Sequence, residues 1–254
     1  MTDATLYVIP GSHPCRTGML LLEHKRIPYK RVDLITGLHP FAVRVRGFPG
    51  HADRAHALSE GRQWRLARID RLGTVPALRF DGTRVQTTRE IARFLDRVRP
   101  EPPLFPTDGE ERRAVEEAEL WGDDVLQMAA RRLIFAATLH GPGAIRNEGD
   151  DGRLGYLLYR NRRLRARVAP LIGRHAFDVN ERTGRELLEA LPEMLARVDG
   201  WIEDGVLNGE ELNAADYLIA TSIALLMYRR DLEPEIKSRP AGALADRILP
   251  EPVE

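Results

Sequence analysis

The stretch LYVIPGSHPCRTGMLLLEHKRIPYKRVDL, residues 6–34, decides the fold. Leu6–Ile9 is an apolar run of strand length. It enters Pro10-Gly11, and Ser12-His13-Pro14-Cys15 then opens an amphipathic segment. A second strand is expected at Tyr29–Leu34, so the order is strand, turn, helix, strand: a parallel βαβ unit. The turn places a hydroxyl, Ser12, and the chain's single cysteine, Cys15, at a helix N-terminus. Backbone N–H groups are unpaired there and the helix dipole is positive, an environment that favours a thiolate. The segment therefore points to thiol chemistry, with either the protein's own sulfur or a bound one.

A second signature follows at Gly73-Thr74-Val75-Pro76-Ala77-Leu78-Arg79-Phe80-Asp81-Gly82. Proline removes a ladder donor, so Pro76 belongs at the start of a strand rather than inside it. Asp81-Gly82 is a two-residue hairpin signal leading into Thr83–Gln86. A helix pattern begins after Thr87-Thr88, with Ile91, Phe94, Leu95 and Val98 on one face.

In this order of elements, residues 5–98 resemble the thioredoxin-fold N-terminal domain of the glutathione transferase superfamily. The resemblance implies a cis bond at Val75-Pro76, with the valine backbone pairing to the cysteinyl backbone of glutathione. It implies that a serine, cysteine or tyrosine near the first turn faces the glutathione sulfur, which nominates Ser12. Ser12-x-x-Cys15 also overlays the Cys-x-x-Cys of thioredoxin-like redox proteins, with serine at the exposed attacking position and Cys15 at the recessed one. The family carries Glu-Ser where this chain has Thr87-Thr88. Thr88 keeps a hydroxyl for the γ-glutamyl carboxylate, whereas Thr87 offers no charge to the ammonium. The thiol-binding set is thus Val75, Pro76, Thr87 and Thr88. In the C-terminal half, Leu212-Asn213-Ala214-Ala215-Asp216-Tyr217 precedes an apolar run. Asn213 and Asp216 can cap each other's backbone donors, resembling the capping box of the buried sixth helix in these transferases.

At 254 residues the chain can bury a large core in one or two domains. The net charge is zero, which removes any global pull toward nucleic acid or anionic lipid. No apolar stretch reaches transmembrane length, and the N-terminus lacks the basic and apolar regions of a secretory signal. With one cysteine there is no internal disulfide, and a reducing, cytoplasmic setting is expected. Only Lys25, Lys30 and Lys237 are lysines among the basic residues, a bias that reads as genome composition.

The expected architecture is an α/β thioredoxin-like N-terminal domain over residues 1–99 followed by an all-α C-terminal domain over 107–254. Pro100, Pro102, Pro103 and Pro106 make a stiff linker. Helix is expected from Glu110 to about Leu139, in a short piece ending at Leu171, over Asn180–Glu203 with Pro192 bending or dividing it, and from Ala214. A proline-punctuated tail begins at Pro234. The connection from Leu34 to Gly73 is longer than the resemblance implies. It carries Arg44, Arg46, Arg54, Arg62, Arg65, Arg68 and Arg71 against Asp53, Glu60 and Asp70, and reads as a solvated, partly helical excursion.

The residues nominated for catalysis are Ser12 and Cys15. Ser12 has two open readings, a thiolate donor or a plain helix N-cap, and a hydroxyl can serve both. Both threonines have a capping reading as well. For substrate binding the candidates are His13, in the turn and expected to be exposed, and Trp121, Val125, Met128 and Arg132 from the first long helix of the second domain. Aromatic and methionine side chains suit apolar ligands, and arginine suits an acidic group. No metal-ligand spacing, phosphate-cradling loop or serine–histidine–acid motif stands out. The reading is a glutathione-transferase-like enzyme that joins a small thiol to an electrophile, with Ser12 stabilising the thiolate. Glutathione or another low-molecular-weight thiol is the expected co-substrate, with no metal. The resemblance implies a homodimer; no nucleic-acid or membrane partner is expected. Two alternatives stand beside it: a non-catalytic transferase-fold binding or scaffold protein, and a thiol–disulfide reductase using Cys15.

Overall fold

The computed structural model describes residues 3–50, 73–140, 144–145 and 170–250. The chain divides into two units, Met1–Pro103 and Leu104–Glu254. In the first, a four-stranded sheet has the order β2-β1-β3-β4, with β1 at Ala4–Val8, β2 at Lys30–Asp33, β3 at Ala77–Phe80 and β4 at Thr83–Gln86. β1 pairs parallel with β2 and antiparallel with β3, and β3 pairs antiparallel with β4. The parallel pair needs a crossover, and α1 (His13–His24) supplies it. The tight return from β3 to β4 uses Asp81 and Gly82, both at positive φ, as the Asp-Gly pair requires.

Every residue of β1 is buried, which marks it as a central strand covered on both faces. Leu6 and Leu78 are register partners, and so are Tyr7 and Ala77. Because strand side chains alternate, the two pairs serve opposite faces. Tyr7 and Ala77 pack with Leu34, Val43 and Phe48. The Phe48 ring meets Tyr7 edge-on at 5.6 Å. Val43 belongs to α2 (His39–Arg44), so part of the long connection after β2 is helical and docked. Residues 51–72, which hold Arg54, Arg62, Arg65, Arg68 and Arg71, lie outside the described residues. α1 packs with α3 (Thr88–Val98), and Leu6 lies toward Gly18 of α1.

The second unit is helical. α4 (Gly109–Trp121) runs through a π-helical turn, Gly122–Leu126, into α5 (Gln127–Ala137). Asp108 starts α4 by accepting from the amides of Glu110 and Glu111. Residues 170–176 are helical, a few residues past the expected stop at Leu171. α6 (Glu181–Glu203) is continuous through Pro192, so of the two expected effects, a bend or a division, the division does not occur. Pro192 is exposed, so the carbonyl it leaves without a donor can turn to water. α7 (Ala214–Leu226) is buried along its whole length and packs on α4 and α5. The proline-punctuated tail is helical in two stretches. It forms α8 (Glu233–Lys237) and α9 (Pro240–Ile248), each with a proline in its first turn, where no intrahelical donor is lost.

The α7 capping box has the reciprocal form expected of it. Asn213 Oδ1 accepts from the amides of Ala215 and Asp216, and Asp216 Oδ2 accepts from the Asn213 amide at 2.8 Å. Asp216 Oδ1 also accepts from the Asn208 amide at 2.7 Å, tying the preceding loop to the helix start. The π turn lets α7 come close. A Cβ on Gly122 would lie 2.7 Å from Leu218 Cδ2 and 3.0 Å from Ile219 Cγ1.

Candidate thiol-binding site

The site begins where β1 ends. Gly11 takes φ +75°, a conformation glycine adopts freely, and turns the chain into α1. The Ser12 amide donates to the Ile9 carbonyl, and the Ser12 carbonyl accepts from the Arg16 amide, so the backbone around Ser12 is fixed from both sides. Ser12 holds the N-cap position with extended dihedrals, yet its side chain makes no capping hydrogen bond. The half-buried hydroxyl therefore sits at the positive end of α1 without the capping bond.

Cys15 is fully buried, and its sulfur accepts from the Ile9 amide at 3.4 Å. The thiol thus sits under the end of β1. His13 differs from expectation: it is 2 % exposed. It is buried at the first position of α1, and its carbonyl accepts from Thr17 Oγ1. Arg16 points back along the helix to Glu23 at 3.1 Å.

Two further turns meet Pro76. Val75-Pro76 is cis, as the resemblance implied, and Glu101-Pro102 is cis as well. A Cβ on Gly18 would lie 3.1 Å from Pro76 Cβ, so α1 lies directly against this proline. The Thr87 amide donates to the Pro76 carbonyl at 3.1 Å, and Gln86 Nε2 donates to the Thr74 carbonyl at 2.9 Å. Thr87 has φ +67° and ψ 152°, a region that a β-branched residue rarely occupies. Its Oγ1 accepts from the Glu90 amide at 3.3 Å and caps α3. Of the two threonines, Thr87 is the cap. Thr88 is the first residue of the helix and is buried. Val75 remains half-buried beside them. Pro76 is thereby in contact with both α1 and the Thr87 turn.

The residues nominated from the second unit differ in burial and in their partners. Trp121 is half-buried and meets Trp201 edge-on at 5.3 Å. The Arg197 guanidinium lies over both rings, 5.2 Å from Trp121 and 4.8 Å from Trp201, and reaches Glu117 at 3.2 Å. Met128 is buried, and Val125 is exposed. Arg132 Nε donates to the Phe177 carbonyl at 3.0 Å. Burial holds its guanidinium below the usual arginine range, against the pull of Asp178. Phe177 in turn stacks on Phe135 at 5.0 Å and lies under Arg131.

One buried group escaped the sequence reading. Lys25 is fully buried at the end of α1, and its ammonium donates to Asp96 Oδ1 at 2.8 Å and to the carbonyls of Pro100 and Pro102. A basic residue in the last turn of a helix often serves carbonyls, which is the only local signal. His24 Nε2 lies 3.0 Å from the Pro103 carbonyl oxygen, and burial lowers the imidazole pKa. Together they fasten the proline segment to the first unit.

Residues 6–103 match the profile of the glutathione S-transferase N-terminal domain family. Followed by the all-helical unit, this gives the chain the fold of the glutathione transferase superfamily. Among solved structures, FzlA from C. crescentus is similar at 18% identity and TM-score 0.56, over 97% of this chain and 87% of that one. A glutathione S-transferase of Ceriporiopsis subvermispora in complex with glutathione is similar at 17% identity and TM-score 0.57, over 97% and 96%. The beta-etherase LigF from Sphingobium is similar at 15% identity and TM-score 0.54, over 97% and 98%. No curated protein matches the chain in sequence. Among the described residues, no helix is long and apolar enough to cross a membrane.

Proposed function

We propose that the first unit binds a small thiol, glutathione or an analogue, against Val75, Pro76, Thr87 and Thr88, and that Ser12 holds its sulfur as the thiolate. The observation that carries this reading is the Ser12 hydroxyl, placed at the N-terminus of α1 and making no capping bond. A donor aimed at sulfur in a positive backbone field lowers a thiol pKa. The thiolate then attacks an electrophile: the sulfur lone pair forms the new bond, and the electrophile takes the electrons or releases a leaving group. Cys15, buried with its sulfur on the Ile9 amide, supports the turn in this reading. A homodimer, as the family resemblance suggests, is part of the proposal.

A second reading is favoured by Thr87. It stands where the family carries a carboxylate, and its hydroxyl is engaged by the Glu90 amide. A protein that keeps the fold and binds a partner without turning over a thiol fits that substitution. Calorimetric titration with glutathione, run beside a conjugation assay with an aryl halide, separates the two. Saturable binding with turnover supports the transferase. Neither binding nor turnover, with glutathione or other small thiols, supports the non-catalytic protein.

A further inference from the structure

We infer that α2 and the turn before it form a docking surface for an acidic, amphipathic segment of another protein. This inference does not depend on thiol binding. Four large apolar side chains in this short stretch face water: Ile35 is 69 % exposed, Leu38 58 %, Phe41 61 % and Val45 80 %. Leu38, Phe41 and Val45, spaced three and four residues apart over α2 and its two cap positions, share one helical side, and Ile35 precedes them in the turn, where Gly37 takes φ +89°. The other face of the same stretch is already used, since Val43 and Phe48 pack with Tyr7, Leu34 and Ala77. A helix apolar on both faces is ordinarily covered on both. Single exposed apolar residues need no explanation, but four large ones in so short a stretch mark a site of association.

The rim decides what covers it. Residues 34–50 contain Arg44, Arg46 and His39 and no acidic residue. Arg46 is held in place: its guanidinium donates to the Ala42 carbonyl and lies 5.4 Å from the Tyr7 ring centre. Its own carbonyl accepts from Arg84 Nε. Asp33, the nearest preceding acid, is engaged by Arg31 at 2.6 Å. The exposed Val45 at the end of the stripe is therefore flanked by two exposed arginines, Arg44 and Arg46. Charge complementarity selects a partner with leucine-like residues on one face and carboxylates at its edges. A second copy fits poorly, because a two-fold contact through this stripe would set the same arginines against each other. A bilayer fits poorly too, because α2 spans only His39–Arg44, whereas interfacial helices are longer and carry an extended cationic face.

The test uses the full chain and a fluorescein-labelled amphipathic peptide of about five helical turns. One probe has leucine on one face and glutamate on the other; its twin has lysine for glutamate. Fluorescence anisotropy should show saturable binding of the glutamate probe, about tenfold tighter than the lysine twin and weakened by salt. Leu38→Ser with Phe41→Ser should weaken that binding about tenfold or more. Arg44→Glu should erase the preference between the probes. These side chains are exposed, and an unchanged melting temperature verifies that the variants fold. The inference is overturned if the two probes bind alike, or if the substitutions leave binding unchanged. It is also overturned if the stripe instead mediates self-association in sedimentation or binding to phosphatidylglycerol vesicles, either being lost in Phe41→Ser.

Discussion

The Lys25 ammonium lies 2.8 Å from Asp96 Oδ1, at the joined ends of two helices, with the lysine side chain wholly out of water. Its remaining donors go to the carbonyls of Pro100 and Pro102, so all three protons are used. Breaking a buried ion pair from one side leaves the other charge poorly solvated. Lys25→Met should destabilise the protein by about 3 kcal/mol in urea denaturation. An equal stability of variant and wild type would show that the pair does not hold the end of the first unit.

Asp216 gives a pH dependence with a definite sign. Burial pushes its pKa up to about 6, against the pull of the Asn213 and Asn208 amides. A raised carboxyl pKa means that the folded protein binds the proton more readily than the unfolded chain. This contribution is fully present below the unfolded pKa of about 4 and is lost as pH rises through about 6. The stability of wild type minus that of Asp216→Asn should therefore fall by about 3 kcal/mol between acid and neutral pH. A difference that grows with pH would contradict the raised value.

Gly122 is a packing site. A methyl group there meets Leu218 and Ile219 at sub-contact distance. Gly122→Ala should cost about 1–3 kcal/mol, although alanine is the better helix former. A more stable variant would mean that the π turn yields easily.

Arg197 between Trp121 and Trp201 should be worth about 1 kcal/mol, since its guanidinium remains partly in water. Arg197→Ala should also change tryptophan fluorescence without altering far-ultraviolet circular dichroism. Unchanged emission would place the arginine away from the rings in solution.

Much of this fold could be read locally. The βαβ start, the Asp81-Gly82 hairpin and the Asn213–Asp216 capping box each depend on residues within a few positions of one another. What failed to show depends on distant contacts. Lys25 meets Asp96 across 71 positions, which no local pattern reports. His13 reads as a surface histidine, but the fold buries it at the start of α1. Pro192 reads as a bend or a division, and the helix is not divided, because an exposed proline in a long helix can be accommodated when packing on either side holds the axis. Trp121, Met128 and Arg132 share a helical pattern but meet different partners, because periodicity gives the faces of a helix and not their neighbours. For the candidate site, position alone marked Ser12. That its hydroxyl does not cap the helix is a matter of side-chain geometry.

The most direct test of the central claim is the pKa of glutathione's thiol when bound, read from thiolate ultraviolet absorbance across a pH titration of wild type, Ser12→Ala and Cys15→Ser. Ser12 is predicted to hold the bound thiol below its free value. Its loss should raise the pKa by about 1–2 units, the equivalent of one hydrogen bond to a charged group. Cys15→Ser should leave that pKa nearly unchanged, with melting temperatures recorded for each variant. A bound thiol with the free pKa in wild type, or a pKa that moves with Cys15 and not with Ser12, would contradict it.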